Sequence, residues 1–298
     1  MLFLASFILK GQSQAALVAA TFATLGLIFP PAAWISGAAI VLVTLVNGPQ
    51  RGLVTTALSF FGAALFAYLI FAAPQVAMVF VLIAWLPAWL LAVVLRQTIS
   101  LAYSLQLLTA VSLFAVVVMY MLFPDFGELW RESLDIMVKQ LAEQSDEFSL
   151  AELQSTENWV IEFLPGLFAS SIMFGAMLSL FLGRWWQAVF YNPGGFAKEF
   201  QSLNLGKVSA LCAIALIIIA MIADNVFALA LVTVVLVLYS MQALSLMHAV
   251  IRIREMKAVW LFVIYLIMFI VPHFLLLLIL LSIVDPWLDI RQRVSKEA

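Results

Sequence analysis

Residues 226–250 read VFALALVTVVLVLYSMQALSLMHAV, a stretch without Asp, Glu, Lys or Arg, bounded by Asp224-Asn225 before it and the basic turn Arg252 to Lys257 after it. An α-helix needs roughly 20 apolar residues to cross the ~30 Å hydrocarbon core of a bilayer, and this run meets that length. It lacks the two-residue alternation that separates the lipid face of a barrel strand from its lumen. In lipid every backbone amide must be satisfied within the chain, so a run of this kind is a membrane-spanning helix.

The composition around it agrees. Of 298 residues 66% are apolar and 10% charged, a balance that leaves too little polar surface for a water-soluble domain of this size. Runs of the same character recur along the chain and predict nine spans: Gln14 to Phe29, Ala32 to Asn47, Leu53 to Ala73, Val76 to Leu95, Ile99 to Phe123, Trp159 to Gly183, Lys207 to Ala223, Val226 to Val250 and Trp260 to Val284. Between them stand turn-forming or charged residues such as Pro30-Pro31, Asn47-Gly48-Pro49, Pro74-Gln75 and Arg96-Gln97. The fold class read from this is an all-α polytopic bundle. The N-terminal MLFLASFILK has no leading basic region and no small-residue cleavage site, so it is expected to stay attached. Cys212, the single cysteine, sits in an apolar run and reads as packing.

Cytoplasmic loops keep the excess of Lys and Arg. With the N-terminus cytoplasmic, those loops collect Lys10, Arg51, Arg96, Arg184, Lys198, Lys207, Arg252, Arg254 and Lys257, while the long loop from Pro124 to Glu162 holds ten acids against Arg131 and Lys139. That loop is expected outside, in a bacterial inner membrane, and a ninth span would deliver the tail from Asp285 to the outer side as well. The organisation is then a five-helix part (1–123), an external acidic segment (124–158), a four-helix part (159–284) and a tail (285–298). No period of 20 to 50 residues repeats along the chain.

Two surface segments stand out. In the external one, Phe126, Trp130, Leu134, Met137 and Leu141 recur on one side of an amphipathic helix, and Ser149 with Glu152 fits a capping box that opens a second short helix. These helices either lie flat and close the bundle or form a lid or docking site. In the cytoplasmic connection GRWWQAVFYNPGGFAKEF, Arg184, Trp185 and Trp186 read as an interfacial anchor. A turn at Asn192, Pro193, Gly194 and Gly195 follows, then a short surface helix with Phe196, Phe200 and Leu203 on one face and Lys198 and Glu199 turned away. It is either a plain elbow or a coupling element against which a partner pushes.

Small residues four apart, Ala15, Ala19 and Ala23 in the first span and Ser171, Gly175 and Ser179 in the sixth, allow close helix contact, inside the bundle or with a partner. Intramembrane charge is sparse. Glu162, Asp224 and His273, the last beside a kink at Pro272, are the candidates for ligand binding should they converge. Two histidines without a matching carboxylate or thiol cluster do not make a metal site. No nucleophile arrangement, phosphate loop or basic patch is present, which points away from catalysis, from a cofactor and from nucleic acid.

The Pro30-Pro31 turn, the segment Asn47-Gly48-Pro49-Gln50-Arg51-Gly52, the loop NPGGFAKEF and the closing DPWLDIRQR together resemble the YybS-like family of bacterial membrane proteins, a domain of unknown function. That family is similar, distantly, to the substrate-binding components of energy-coupling-factor transporters. The resemblance implies a helical bundle that captures a small solute from outside and works with a membrane-protein and ATPase partner, met through an alanine stripe in the first helix such as Ala15, Ala19 and Ala23. This chain departs from those components in its greater number of spans and in showing no vitamin-binding signature. The resulting expectation is a transport-related component in contact with membrane lipids and partner proteins, with an envelope assembly protein as the alternative.

Overall fold

The computed structural model describes residues 2–144 and 150–296, and every regular element among them is helical. The chain opens with α1 (Leu2–Ile8), α2 (Gln12–Gly26), α3 (Pro31–Asn47) and α4 (Pro49–Phe71). A rod then runs over Val76–Thr98, composed of α5 (Val76–Phe80), a π-helical turn (Val81–Trp85) and α6 (Leu86–Thr98). After α7 (Leu101–Leu122) come a 3-10 turn (Phe126–Trp130), α8 (Arg131–Gln144) and the long α9 (Leu150–Tyr191). The remainder is α10 (Gly195–Gln201), α11 (Gly206–Ala223), α12 (Val226–Ile253), α13 (Val259–Ile270), α14 (His273–Leu288) and α15 (Ile290–Lys296).

Among the described residues six helices are long and apolar enough to cross a membrane: α4, the Val76–Thr98 rod, α7, α9, α11 and α12, with α13 and α14 a seventh if the bent pair counts as one span. The expected count of nine is therefore not matched. Helices α2 and α3, of 15 and 17 residues, reach only about 22 and 26 Å at 1.5 Å per residue. They form a short antiparallel hairpin, with Ala33 against Gly26 at its turn. At the other end of the chain the break at Val271-Pro272 bends α13 against α14 by 117°, far beyond the kink expected there. Neither half, of 12 and 16 residues, is long enough to cross alone.

That bend moves the tail. Helix α14 returns beside α12, where the Ser282 hydroxyl reaches the Tyr239 carbonyl, and Arg291 of α15 binds the carbonyls of Gln201 and Leu203 next to α10. The tail thus lies at the same end of the bundle as the NPGGF elbow, not at the opposite end where a ninth full span would have put it. All fourteen Lys and Arg except Arg131 and Lys139 now belong to that end, which we call the basic face. The other is the acidic face.

The core forms around α3, in which Ser36 to Leu45 are buried without a break. Close approach to α9 is possible because Gly37 and Gly183 lack side chains: a Cβ on Gly37 would stand 2.4 Å from Ser179 Oγ, and one on Gly183 2.6 Å from Val41 Cγ1. Ala15, Ala19 and Ala23 are wholly buried, and Ala19 lends its carbonyl to Ser36 of α3. As a partner-facing stripe they are corrected to internal packing.

On the acidic face, Pro165 inside α9 has no N–H to give the Ile161 carbonyl four residues back. Gly127 of the 3-10 turn packs directly on that carbonyl, at 2.1 Å from where its own Cβ would stand. Phe126 lies on Phe168 of α9 with ring centres 5.4 Å apart, and Arg131 donates to Asn158. The expected amphipathic face is only partly turned in: Phe126 and Leu134 are half-buried and Val138 buried, while Trp130, Met137 and Leu141 stay exposed. The second short helix proves to be the first turns of α9 itself, and its expected cap Ser149 lies outside the described residues.

Candidate functional site

Pro87 cannot donate to the carbonyl of Ile83, and the Val76–Thr98 rod widens just there into its π turn, closed by the Leu86 N–H on the Val81 carbonyl. Ile83 and Ala84 of this turn are half-buried, and Trp85 turns to Ser36 of α3. Trp85 is fully buried, and its indole Nε1–H donates to Ser36 Oγ at 2.8 Å, which in turn donates to the Ala19 carbonyl at 2.6 Å. This relay fixes α2, α3 and the rod together by satisfying two polar groups that lipid would leave unpaired.

Beside the turn, between α3, the rod and α9, lies a cavity of about 520 Å³. That is within the range of small-molecule sites, roughly 300–1,000 Å³. Its lining includes the aromatic residues Trp34, Phe80, Phe168 and Phe174 and the serines Ser170, Ser171 and Ser179, with no charged side chain. Trp34 meets Phe174 edge-on at 5.9 Å. Ser170 is 5% exposed, yet its hydroxyl has no hydrogen-bond partner. Most other hydroxyls in these helices bond back to a carbonyl three or four residues earlier, as Thr56, Ser59 and Thr109 do. A buried hydroxyl without a partner costs about 1–3 kcal/mol; this oxygen is enclosed in the protein and is not open to the cavity. Pro30, Leu167 and Ser171 form its exposed rim.

The sequence singled out Ser171, Gly175 and Ser179 only as a contact stripe; here they line the cavity, with Ser179 also donating to the Trp34 carbonyl. Trp34, Phe80 and the π turn went unnoticed, although Pro87 within an apolar run was the available signal. Glu162, Asp224 and His273, expected to bind ligand if they met, are each exposed and stand on three different elements. The Glu162 carbonyl accepts the Tyr120 hydroxyl at 2.7 Å, Asp224 caps α11 in a left-handed conformation, and His273 occupies the first turn of α14. No group of three His, Cys, Asp or Glu side chains able to hold a metal gathers among the described residues.

The elbow is held by α9, α12 and α15. Pro193 and Gly194 are exposed at its turn, with Gly194 at φ 78°, where a side chain would be strained, and Gly195 follows half-buried. Phe196 and Phe200 face inward against Phe181, at 5.9 and 5.4 Å, and Phe200 meets His248 at 5.7 Å. These two rings anchor the elbow to its own bundle, and of the five elbow residues expected to meet a partner only Pro193 and Gly194 are exposed. Glu199 is not turned to water as expected but pairs with Arg184 at 2.9 Å, and burial raises its carboxyl above the usual range against the pull of that arginine. Trp186, expected at the headgroup level, is wholly buried with an unpartnered indole N–H.

Below the elbow a polar clamp joins residues far apart in sequence. Arg291 pairs with Asp285 at 2.8 Å and donates to the carbonyls of Leu203 at 2.9 Å and Gln201 at 3.2 Å and to Ser245 Oγ at 3.1 Å. The Ser245 hydroxyl in turn donates a hydrogen bond to the Phe200 carbonyl. Gln242, fully buried, accepts the Leu205 N–H at 2.7 Å and donates to the Ser282 carbonyl at 2.6 Å. Burial draws the Arg291 guanidinium down from its ordinary value while Asp285 and Asp289 oppose the shift.

No protein-family model, curated protein or solved structure matches this chain.

Proposed function

We propose that this integral membrane protein is a transport-related binding component that takes a small uncharged molecule into the cavity between α3, the Val76–Thr98 rod and α9. The observation that carries the reading is the cavity itself, about 520 Å³, walled by four aromatic rings and three serine residues and carrying no charged side chain. An uncharged wall suits an uncharged guest, since a desolvated ion would find no counter-charge there. Any energy for movement would come from a partner, and the firmly anchored elbow on the basic face, with Pro193 and Gly194 presented outward, is the surface offered to it.

The basic face is assigned to the cytoplasm of a bacterial inner membrane by its excess of Lys and Arg. Reporter fusions after residue 10 and after residue 296 should both register as cytoplasmic; opposite signals from the two overturn that topology.

Native mass spectrometry of the protein in lipid nanodiscs tests the binding reading. Gly175 lines the cavity, and a Cβ built on it has only ordinary contact with Trp34, at 3.5 Å from Nε1, so Gly175→Phe is the substitution chosen to occupy the space. A small-molecule adduct on the wild-type protein that is absent from Gly175→Phe is the expected result. A wild-type protein that is empty, or an adduct that survives the substitution, overturns the reading.

A second reading, an assembly protein of the envelope, is favoured by the exposed Leu129, Trp130, Met137 and Leu141 on the acidic face. Deleting residues 126–141 separates the two: loss of a co-purifying complex supports assembly, and loss of the adduct with complexes intact supports binding.

A further inference from the structure

A second cavity, about 290 Å³, lies at the basic face between α6, α9 and α10 and shares no lining residue with the aromatic one. Its lining includes Arg96 from α6, Arg184 and Gln187 from α9 and Glu199 from α10. Arg96 is exposed and donates from Nη1 to the Leu45 carbonyl at the end of α3. Arg184 donates from Nη2 to Glu199 at 2.9 Å, and these two side chains keep 16% and 22% of their surface open. A guanidinium carries five N–H donors and no acceptor. Among the described residues these contacts engage one terminal nitrogen of each arginine, so both have donors to spare. Two cations against one carboxylate also leave the cavity with a surplus of one positive charge. At its edge stands Ile99, 87% exposed and held at φ 53°. The left-handed conformation costs a side-chain-bearing residue about 1–2 kcal/mol, and an apolar side chain so exposed is at home only in hydrocarbon. The charged cavity therefore borders the lipid.

We propose that this cavity binds a phosphate monoanion through Arg96 and Arg184, the group carried by an anionic phospholipid head or by a soluble phosphate ester. Guanidinium forks match phosphate oxygens in pairs, which an ammonium does not. The single surplus charge equals the charge of a phosphodiester. Basic pockets between spans on the cytoplasmic side are also where lipid headgroups are held. The volume lies at the lower end of the range for small-molecule sites, so it admits a head and leaves acyl chains outside, against Ile99. A phosphate in this place joins α6 to α9 and, through the Arg184–Glu199 pair, to the elbow. The site is independent of the aromatic cavity and stands or falls without it.

The test titrates the full-length protein, in non-ionic detergent at neutral pH, with dioctanoylphosphatidylglycerol and counts adducts by native mass spectrometry. Dioctanoylglycerol supplies the same chains without the phosphate. One saturable phosphatidylglycerol per chain is expected, and none of the phosphate-free lipid. Arg96→Gln and Arg184→Gln should each weaken binding about ten- to a hundredfold, while Lys10→Gln, elsewhere on the basic face, leaves it unchanged. Loss of affinity alone would not separate a lost ligand from a loosened fold. Glu199→Gln does so, because it removes the opposing charge and keeps both arginines, and it should tighten binding several-fold. Glycerol 3-phosphate identifies the source: displacement of the lipid at comparable concentration assigns the site to a soluble phosphate ester, and failure to displace assigns it to the headgroup. Equal retention of dioctanoylglycerol overturns the proposal, as does equal weakening by Lys10→Gln and Arg96→Gln, which would mean diffuse surface attraction. Arginine variants that bind as wild type, or weaker binding by Glu199→Gln, overturn it as well.

Discussion

Replacing Asp285 by Ala strips the one carboxylate from a guanidinium that is itself mostly enclosed. The Asp285 side chain is 2% exposed and the Arg291 side chain 17%. Breaking a fully buried ion pair by removing one member costs about 3–5 kcal/mol, because the survivor keeps its desolvation penalty. Arg291 retains some water and three other acceptors, the Gln201 and Leu203 carbonyls and Ser245 Oγ, so about 2–4 kcal/mol is the fitting range. The Ile290 N–H also loses its acceptor, Asp285 Oδ1 at 3.0 Å. Since the same arginine holds the last turn of the elbow, the loss should be felt at residues 195–205 and not only in the tail. Hydrogen exchange of the protein in nanodiscs reads this directly: amides of 195–205 are expected to exchange about 30- to 700-fold faster, with Asp285→Asn intermediate because its Oδ1 still accepts from Ile290. If exchange at 195–205 is unchanged while residues 289–296 alone fray, the tail does not hold the elbow and the argument fails.

Three further outcomes are expected. Gly127→Ala drives a methyl group against the Ile161 carbonyl and should undock the acidic-face cover, making residues 124–144 several-fold more sensitive to added protease while the melting temperature of the bundle stays close to wild type. Ser36→Ala leaves the buried Trp85 N–H without its acceptor and should cost about 1–3 kcal/mol in denaturant or thermal unfolding, whereas Ser36→Thr, which keeps the hydroxyl, should recover much of it. Glu199 supplies a pH dependence: its folded value lies above its unfolded one, so its contribution is fully present below the ordinary carboxylate range and is lost as pH rises through the raised value. The elbow should therefore be better protected from exchange in mild acid than at neutral pH, and Glu199→Gln should flatten that difference.

Apolar length located most of the long helices but not which of them face lipid. Helix α3 is as hydrophobic as a span because it is enclosed by α2, α4, α6 and α9, and hydropathy weighs burial in protein and burial in lipid alike. The same blindness hid the hairpin of α13 and α14: Pro272 announces an interruption, but the size of the bend is set by how α14 packs on α12 through Ser282, Gln242 and Tyr239. The elbow was legible as a turn and a short helix because Asn192 to Gly195 and the spacing of Phe196 and Phe200 are local signals. Its clamp was not, since Gln201, Ser245, Asp285 and Arg291 meet only in three dimensions. The cavity was half-visible, its serines lying at readable helical spacing on α9, while Trp34 and Phe80 come from elements about 90 or more residues earlier in the chain.

The tail clamp also bears on the order in which the protein is made. Every group Arg291 holds, from the Gln201 carbonyl to Ser245 and Asp285, is synthesised before the arginine itself. While the ribosome is still translating α12 to α14, the elbow therefore has its phenylalanine anchors but not its lock, and the preceding helices can still adjust their depth and rotation. Emergence of α15 closes the clamp. Ribosome-bound chains stalled before residue 291 should accordingly carry an elbow open to protease that the finished chain protects.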